Sequence, residues 1–168
     1  KSLQKLRLCS EKCKVNLSYI NKYTIHIPKF YNDKKNNIFI DLNEEISREL
    51  FESLCKELFI RSMKPVKDIL DISFMNPSDI NDIILVGGST RIPRIQFNIS
   101  NFFNKTPSSK IDPDTIVAVG AAIQGFLLSN KDHPFSQNIL LIDVIPLSIG
   151  IKTANNLMTK IINRNTPI

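Results

Sequence analysis

Ile83-Ile84-Leu85-Val86-Gly87-Gly88-Ser89-Thr90-Arg91-Ile92-Pro93 decides how this chain is read. Four apolar residues predict a buried strand, and two glycines break it. A Ser-Thr pair then leads to a proline at a helix start. Strand, glycine turn and helix N-terminus together offer backbone N–H groups to a phosphate. Glycine suits such a turn because a residue without Cβ takes positive φ and lets the backbone approach a ligand. Pro93 fits the first helical turn, where its missing N–H costs nothing. The stretch points to a nucleotide.

Downstream, the helix opened by Pro93 is expected to run to about Phe103. Asp112-Pro113-Asp114 is a cap-and-proline start for a second helix, from about Thr115 to Ser129. Val119, Gly120, Ala121 and Ala122 give that helix a face of small residues, which suits close packing on another backbone or on a ligand. Asn130 to Asn138 is polar and reads as a linker. Strand-like alternation follows over Ile139–Val144, Leu147–Thr153 and Leu157–Ile162, with Asn155-Asn156 as a hairpin signal.

Upstream, Asn76-Pro77-Ser78-Asp79 reads as a turn, preceded by a short helix over Met63–Leu70 that begins near Pro65. Ser47 is a candidate N-cap, with Glu49 in the first turn where the helix dipole favours an anion. Leu50, Phe51, Leu54 and Leu58 form the buried stripe expected of that helix. Thr24–Pro28 and Ile38–Leu42 alternate as strands, and the polar run Asn32–Asn37 makes them a hairpin. Leu3, Leu6, Cys13 and Leu17 recur at helical spacing from the first residue, without a cap. The uncapped opening and the unmated final strands together read as a polypeptide cut from something larger.

Composition narrows the class. The chain has 168 residues, 42% hydrophobic and 23% charged, which suits one soluble domain, or one domain and a piece of another. Its formal net charge of +6 comes from scattered lysines. No basic stripe interleaves with aromatic residues, so no nucleic-acid partner is expected. No membrane partner is expected either, because no apolar run reaches the ~18 to 20 residues of a span and no signal peptide opens the chain. Cys9, Cys13 and Cys55 form no CxxC pair and read as core or boundary residues in a reducing cytosol. His26 and His133 have no ligand-spaced partner, so no metal site is expected.

Four strings carry a resemblance beyond this reading: Glu11-Lys12-Cys13-Lys14-Val15-Asn16-Leu17-Ser18, Val86 to Pro93, Asp112 to Gln124, and Leu140 to Gly150 followed by Asn163-Arg164-Asn165-Thr166. In that order and spacing the chain resembles heat-shock chaperones of the DnaK type, the heat shock protein 70 family, along nearly all its length. The resemblance implies an α/β fold: an actin-like ATPase lobe fragment, then a linker and the first strands of a β-sandwich. It places the end of a nucleotide-binding domain at 1–130, an interdomain linker at 131–144 and the start of a peptide-binding β-domain at 145–168. Ile46-Ser47-Arg48-Glu49, Ile111-Asp112-Pro113-Asp114 and the isoleucine of Asp143-Val144-Ile145-Pro146-Leu147 are closer to the HscA branch, which serves iron–sulfur cluster assembly.

Residue roles follow from the resemblance alone. Glu11, Lys14 and Ser18 would share a helix face and hold the adenosine of ATP or ADP, with Val15 packing on the base. Gly87, Gly88 and Ser89 would approach phosphates and ribose, Arg91 and Ile92 would flank adenine, and Asp114 would close the pocket. The linker Ile139, Leu140, Leu141, Ile142 and Asp143 would dock on the ATPase domain in one nucleotide state and swing free in another. Ile151, Thr153 and Ala154 match positions that touch an extended client peptide, although Asn155-Asn156 replaces the usual Gly-Gly hairpin and Lys152 reverses a frequent glutamate. Expected partners are client polypeptides, a J-domain co-chaperone, a nucleotide exchange factor and, for the HscA branch, an iron–sulfur scaffold protein. The expected location is bacterial cytoplasm, with an organelle matrix as the alternative.

No catalytic residue is assigned, because the family's other phosphate loops, its catalytic lysine and its magnesium-binding side chains precede the segment that matches. Phosphoryl transfer needs several such elements at once. The 168 residues alone are therefore expected to hydrolyse no ATP and to bind client weakly or not at all. Two alternatives stand beside this reading: a decayed, non-catalytic relative, and a sugar kinase lobe of the actin superfamily. The kinase alternative lacks the apolar tether and Pro-Leu-Ser hairpin seen here.

Overall fold

A computed structural model describes residues 2–109 and 111–168. Lys1, with which the helical pattern opens, lies outside the described residues. The chain parts into two compact units, Lys1–Val117 and Ala118–Ile168.

The first unit opens with helix α1 (Ser2–Asn16), followed by strands β1 (Lys22–Asp33) and β2 (Ile38–Ser47). The strands form an antiparallel hairpin and are longer than their alternating cores suggested. Its register shifts between Ile27 and Tyr31, around Pro28 and a left-handed Lys29 whose N–H donates to Asp41 at 2.7 Å. Proline lacks a ladder donor, so a bulge on a two-stranded ribbon is where it is tolerated. Ile25 and Ile27 point to one face of β1 and meet Cys13 and Leu17 from α1 and the turn after it. Leu17 is 1% exposed, and burying such a side chain contributes ~1.5 to 3 kcal/mol.

Helices α2 (Arg48–Leu54), α3 (Lys56–Ser62) and α4 (Lys64–Ser73) follow. Ser47 caps α2 as expected, its hydroxyl accepting from the Leu50 N–H at 3.1 Å. The stripe of Leu50, Leu54 and Leu58 is a correction: all three are exposed, Leu54 at 74%. Phe51, half-buried, and Phe59, buried, turn inward there, meeting edge to face with ring centroids 6.0 Å apart. The periodicity was real, but nothing among the described residues covers the leucine side.

Ile83–Val86 is a second correction. The segment alternates half-buried Ile83 and Leu85 with exposed Ile84 and Val86, yet it joins no sheet among the described residues. Two bonds hold its ends instead: the Ser108 N–H donates to the Ile83 carbonyl at 2.8 Å, and the Gly87 N–H to the Pro113 carbonyl at 2.9 Å. A single 3-10 turn over Gly88–Arg91 then leads into α5 (Pro93–Phe103), whose bounds match the expectation.

Helix α6 (Ile116–Ser129) begins after a turn in which Asp112 accepts from the Asp114 N–H at 3.2 Å and the Thr115 hydroxyl at 3.5 Å. Its small face at Val119–Ala122 is exposed, and a Cβ added at Gly120 would meet nothing within 4 Å. Close packing of that face on a backbone is therefore not found among the described residues.

In the second unit the polar stretch contains a short helix, α7 (Pro134–Gln137), with Phe135 and His133 each set edgewise to Phe126. Ile139–Val144 forms no strand among the described residues, apart from a single bridge between Val144 and Pro167. Strands β3 (Ile149–Lys152) and β4 (Met158–Ile162) form the expected hairpin, shorter than the alternation suggested. Asn156 takes the left-handed conformation, φ 58°, that asparagine tolerates in a tight turn.

Candidate functional site

Three separate segments of the first unit converge on a cleft of ≈ 360 Å³. Its walls are Glu11, Lys14, Val15, Ser18 and Tyr19 from the end of α1 and the turn beyond it, Gly88, Ser89, Arg91 and Ile92 from the glycine turn, and Asp114. At least 69 positions of sequence, from Tyr19 to Gly88, separate the first group from the second, so only the fold brings them together.

The α1 wall is built by helical spacing. Glu11 and Lys14, three apart, face each other and pair at 2.6 Å. Ser18 does not lie on that helix, because α1 ends at Asn16 and the chain turns there, with the Ser18 N–H donating to the Val15 carbonyl at 3.1 Å. The turn still delivers Ser18 to the cleft, one step beyond Lys14. Arg48 fixes the turn, its Nε donating to the Leu17 carbonyl at 2.7 Å and its Nη2 to the Ile20 carbonyl at 3.0 Å.

The two glycines divide their work. Gly87 takes φ 88°, ψ 148°, a region that side chains disfavour, and its amide is already spent on Pro113. It shapes the bend and stands outside the lining of the cleft. Gly88 faces the cleft, and a Cβ there would sit 3.7 Å from Asp114 Oδ1. The amides of Gly88 and Ser89 open a 3-10 turn and so have no acceptor within it. Thr90 closes the turn, its hydroxyl donating to the Gly87 carbonyl at 2.6 Å.

Arg91 carries the electrostatics. It donates to Asp114 Oδ2 from Nε at 3.2 Å and from Nη2 at 2.7 Å, and Nη2 also reaches Asp112 Oδ1 at 2.7 Å. The hydrogen bond and charge of Asp114 raise the guanidinium pKa above its already high value, with Tyr19 and Asp112 adding to the same direction. Beneath Arg91, Ile92 is 7% exposed and supplies an apolar floor. The cleft thus combines one fixed cation, one helix ammonium, two amides without an acceptor among the described residues and an apolar patch. Such a set suits a ligand with an anionic end and a flat apolar end.

Tyr19 and Arg48 went unrecognised in the sequence. Tyr19 lies next to Ser18 in the lining, and Arg48 positions the turn from 28 to 31 residues away. An aromatic residue in the first turn past a helix carrying ligand-facing residues was the available signal for Tyr19. Nothing in the sequence signals Arg48.

The remaining assigned residues belong to the second unit. Ile139, Leu140, Leu141 and Ile142 are exposed, and the Asp143 carbonyl accepts from the Ile168 N–H at 2.9 Å. Ile151 lies exposed in β3, and Thr153 donates through both N–H and Oγ1 to the Leu157 carbonyl at 2.8 and 3.0 Å. Ala154 starts the turn between β3 and β4.

The family model described as Hsp70 protein matches residues 1–168. A heat shock protein 70 homolog of Acanthamoeba polyphaga mimivirus is 44% identical over 98% of this chain and 17% of its own length. A chaperone protein dnaK of Trieres chinensis is 44% identical over 99% of this chain and 26% of its own. A heat shock 70 kDa protein 2 of Paracoccidioides lutzii is 45% identical over 100% of this chain and 25% of its own. This is a mixed α/β piece of the actin-like ATPase fold that continues into small antiparallel strands. The chain belongs to the Hsp70 family. It spans about a quarter or less of the length of these curated relatives.

Proposed function

We propose that residues 1–130 form one wall of the nucleotide pocket of an ATP-dependent chaperone that binds and releases unfolded polypeptides under nucleotide control. The observation that carries this reading is the convergence of Lys14, Ser18, Gly88, Arg91 and Asp114 on one cleft. The donor set fits ATP or ADP. Gly88 and Ser89 would meet phosphate or ribose through their backbone, Lys14 would supply positive charge, and Val15, Arg91 and Ile92 would flank the base. Gly88 is part of the cleft lining, so a side chain there would occupy space next to the ligand. When bound, ATP supplies the phosphoryl group whose hydrolysis drives the chaperone cycle.

In this reading Ile139–Asp143 is the tether that reports nucleotide state, and Ile151, Thr153 and Ala154 begin the client-binding edge by strand-type hydrogen bonding and apolar enclosure. The four exposed apolar residues of the tether support this, since they await a docking surface. A J-domain co-chaperone and an exchange factor are the corresponding partners. A finer reading assigns the iron–sulfur branch, on the sequence details at Ile46–Glu49, Ile111–Asp114 and Ile145. Capture of an iron–sulfur scaffold protein by the purified protein tests that branch.

Calorimetric titration with ADP tests the pocket itself. ADP binding that weakens by about tenfold in Lys14→Ala is expected, and ADP binding indifferent to that substitution overturns the assignment.

A further inference from the structure

Tyr19 has no counterpart among the roles given above, yet it is the best-prepared unspent group in the cleft. Its backbone is fixed on both sides. The Tyr19 and Ile20 N–H groups both donate to the Asn16 carbonyl at 2.9 Å, and Arg48 holds the carbonyls of Leu17 and Ile20. Its side chain is the reverse: 66% exposed. Among the described residues its ring stacks on no other ring or cation, and its hydroxyl has no hydrogen-bond partner. An aromatic ring left unpacked on an anchored backbone offers a planar ligand an open π-face, and the ordering still to be lost is confined to its two side-chain torsions.

The neighbours define which part of a ligand it meets. Tyr19 shares the cleft with Val15, Ile92 and Arg91, the apolar and planar groups. Arg91 is itself held by two carboxylates, which fixes its position but leaves the guanidinium less charge to offer a second anion. The region around Tyr19 is therefore suited to a flat, uncharged ring more than to a phosphate.

We infer that Tyr19 stacks on the base of a bound purine nucleotide, over the apolar floor formed by Val15 and Ile92. This rests on the nucleotide reading of the cleft and adds the residue that grips the base. Stacking a base on an aromatic side chain tolerates any ring with a π-face, and truncating the aromatic partner weakens binding by about tenfold.

The chain has three tyrosines and no tryptophan, so Tyr19→Trp places a single indole in the cleft. Three forms are titrated with ADP by calorimetry: the unaltered chain, Tyr19→Ala and Tyr19→Trp. The expected result is about tenfold weaker binding in Tyr19→Ala, and affinity kept in Tyr19→Trp with its indole fluorescence quenched by ADP. Equal affinity in Tyr19→Ala and the unaltered chain overturns the inference while leaving the pocket standing. Tight binding by Tyr19→Trp without a fluorescence change overturns it equally. Absence of ADP binding by the unaltered chain overturns the pocket and the inference together.

Discussion

Arg91 and Asp114 are joined through one oxygen: Nε and Nη2 of the arginine both point at Asp114 Oδ2, at 3.2 and 2.7 Å. The pair ties the glycine turn to the turn before α6 across 23 positions of sequence. Its side chains are 35% and 54% exposed, so water screens it, and pairs of this kind contribute ~0.2 to 1 kcal/mol. Asp114→Asn should therefore lower folding stability by less than about 1 kcal/mol, and the deficit should shrink in ~0.5 M salt, where the Debye length falls to a few ångströms. Urea unfolding at low and high salt measures both. A loss of several kcal/mol, or one indifferent to salt, contradicts this placement of the carboxylate.

The adjacent glycines should respond in opposite ways. Gly87 needs its positive φ, so Gly87→Ala strains the backbone by ~1 to 3 kcal/mol although a Cβ there has free space. Gly88 has no such φ, and its Cβ would make an ordinary 3.7 Å contact with Asp114. Gly88→Ala should fold nearly as well as the unaltered chain and should lose affinity for ADP. Thermal unfolding and ADP titration of the two variants separate a residue that shapes the bend from one that faces the ligand. Equal loss of stability in both would remove the distinction.

What could be read in advance was local chemistry. The Ser47 cap, the proline start of α5 and the turn-forming Asn156 each depend on a residue and its immediate neighbours, and each formed as the sequence suggested. The convergence of Lys14 with Gly88 was legible only through the family resemblance, because no spacing rule spans so long a stretch of chain. The stripe at Leu50, Leu54 and Leu58 misled for a related reason. Periodicity announces an apolar face but is silent about what covers it. Ile83–Val86 shows the same limit for strands: alternation was present, whereas the ladder depends on a partner that sequence pattern does not name. Arg48 acts through two backbone carbonyls, and carbonyls carry no sequence signature at all.

Cys13 should behave as an inert thiol. It is 4% exposed among Leu17, Ile25 and Ile27, and burial raises its pKa above the ordinary 9.0. Alkylation at pH 8 should therefore reach the half-buried Cys9 and Cys55 well before Cys13. The linkage has a definite sign. The folded state holds the thiol proton more tightly than the unfolded chain, so this contribution to stability is complete below pH 9.0 and is lost as pH rises through the higher folded value. Stability measured from pH 9 to 11 should fall more steeply in the unaltered chain than in Cys13→Ala, and parallel curves would refute the burial of this group.

Gly150 controls the hairpin of the second unit. A Cβ added there would run into the carbonyl of Thr159, which is backbone and has nowhere to yield. The collision falls beside the register shift between Ile149 and Gly150, where β3 already departs from even pairing with β4. Gly150→Ala should thus open the β3–β4 ladder, exposing the Ile151 and Thr159 amides to exchange, while leaving the β1–β2 hairpin intact. Amide hydrogen exchange on the variant checks this. Protection in β3 and β4 should fall by about tenfold or more, and in β1 at Ile25 and Ile27 it should be unchanged. Loss of protection in both hairpins would mean that the two units unfold as one, against their separation at Val117 and Ala118.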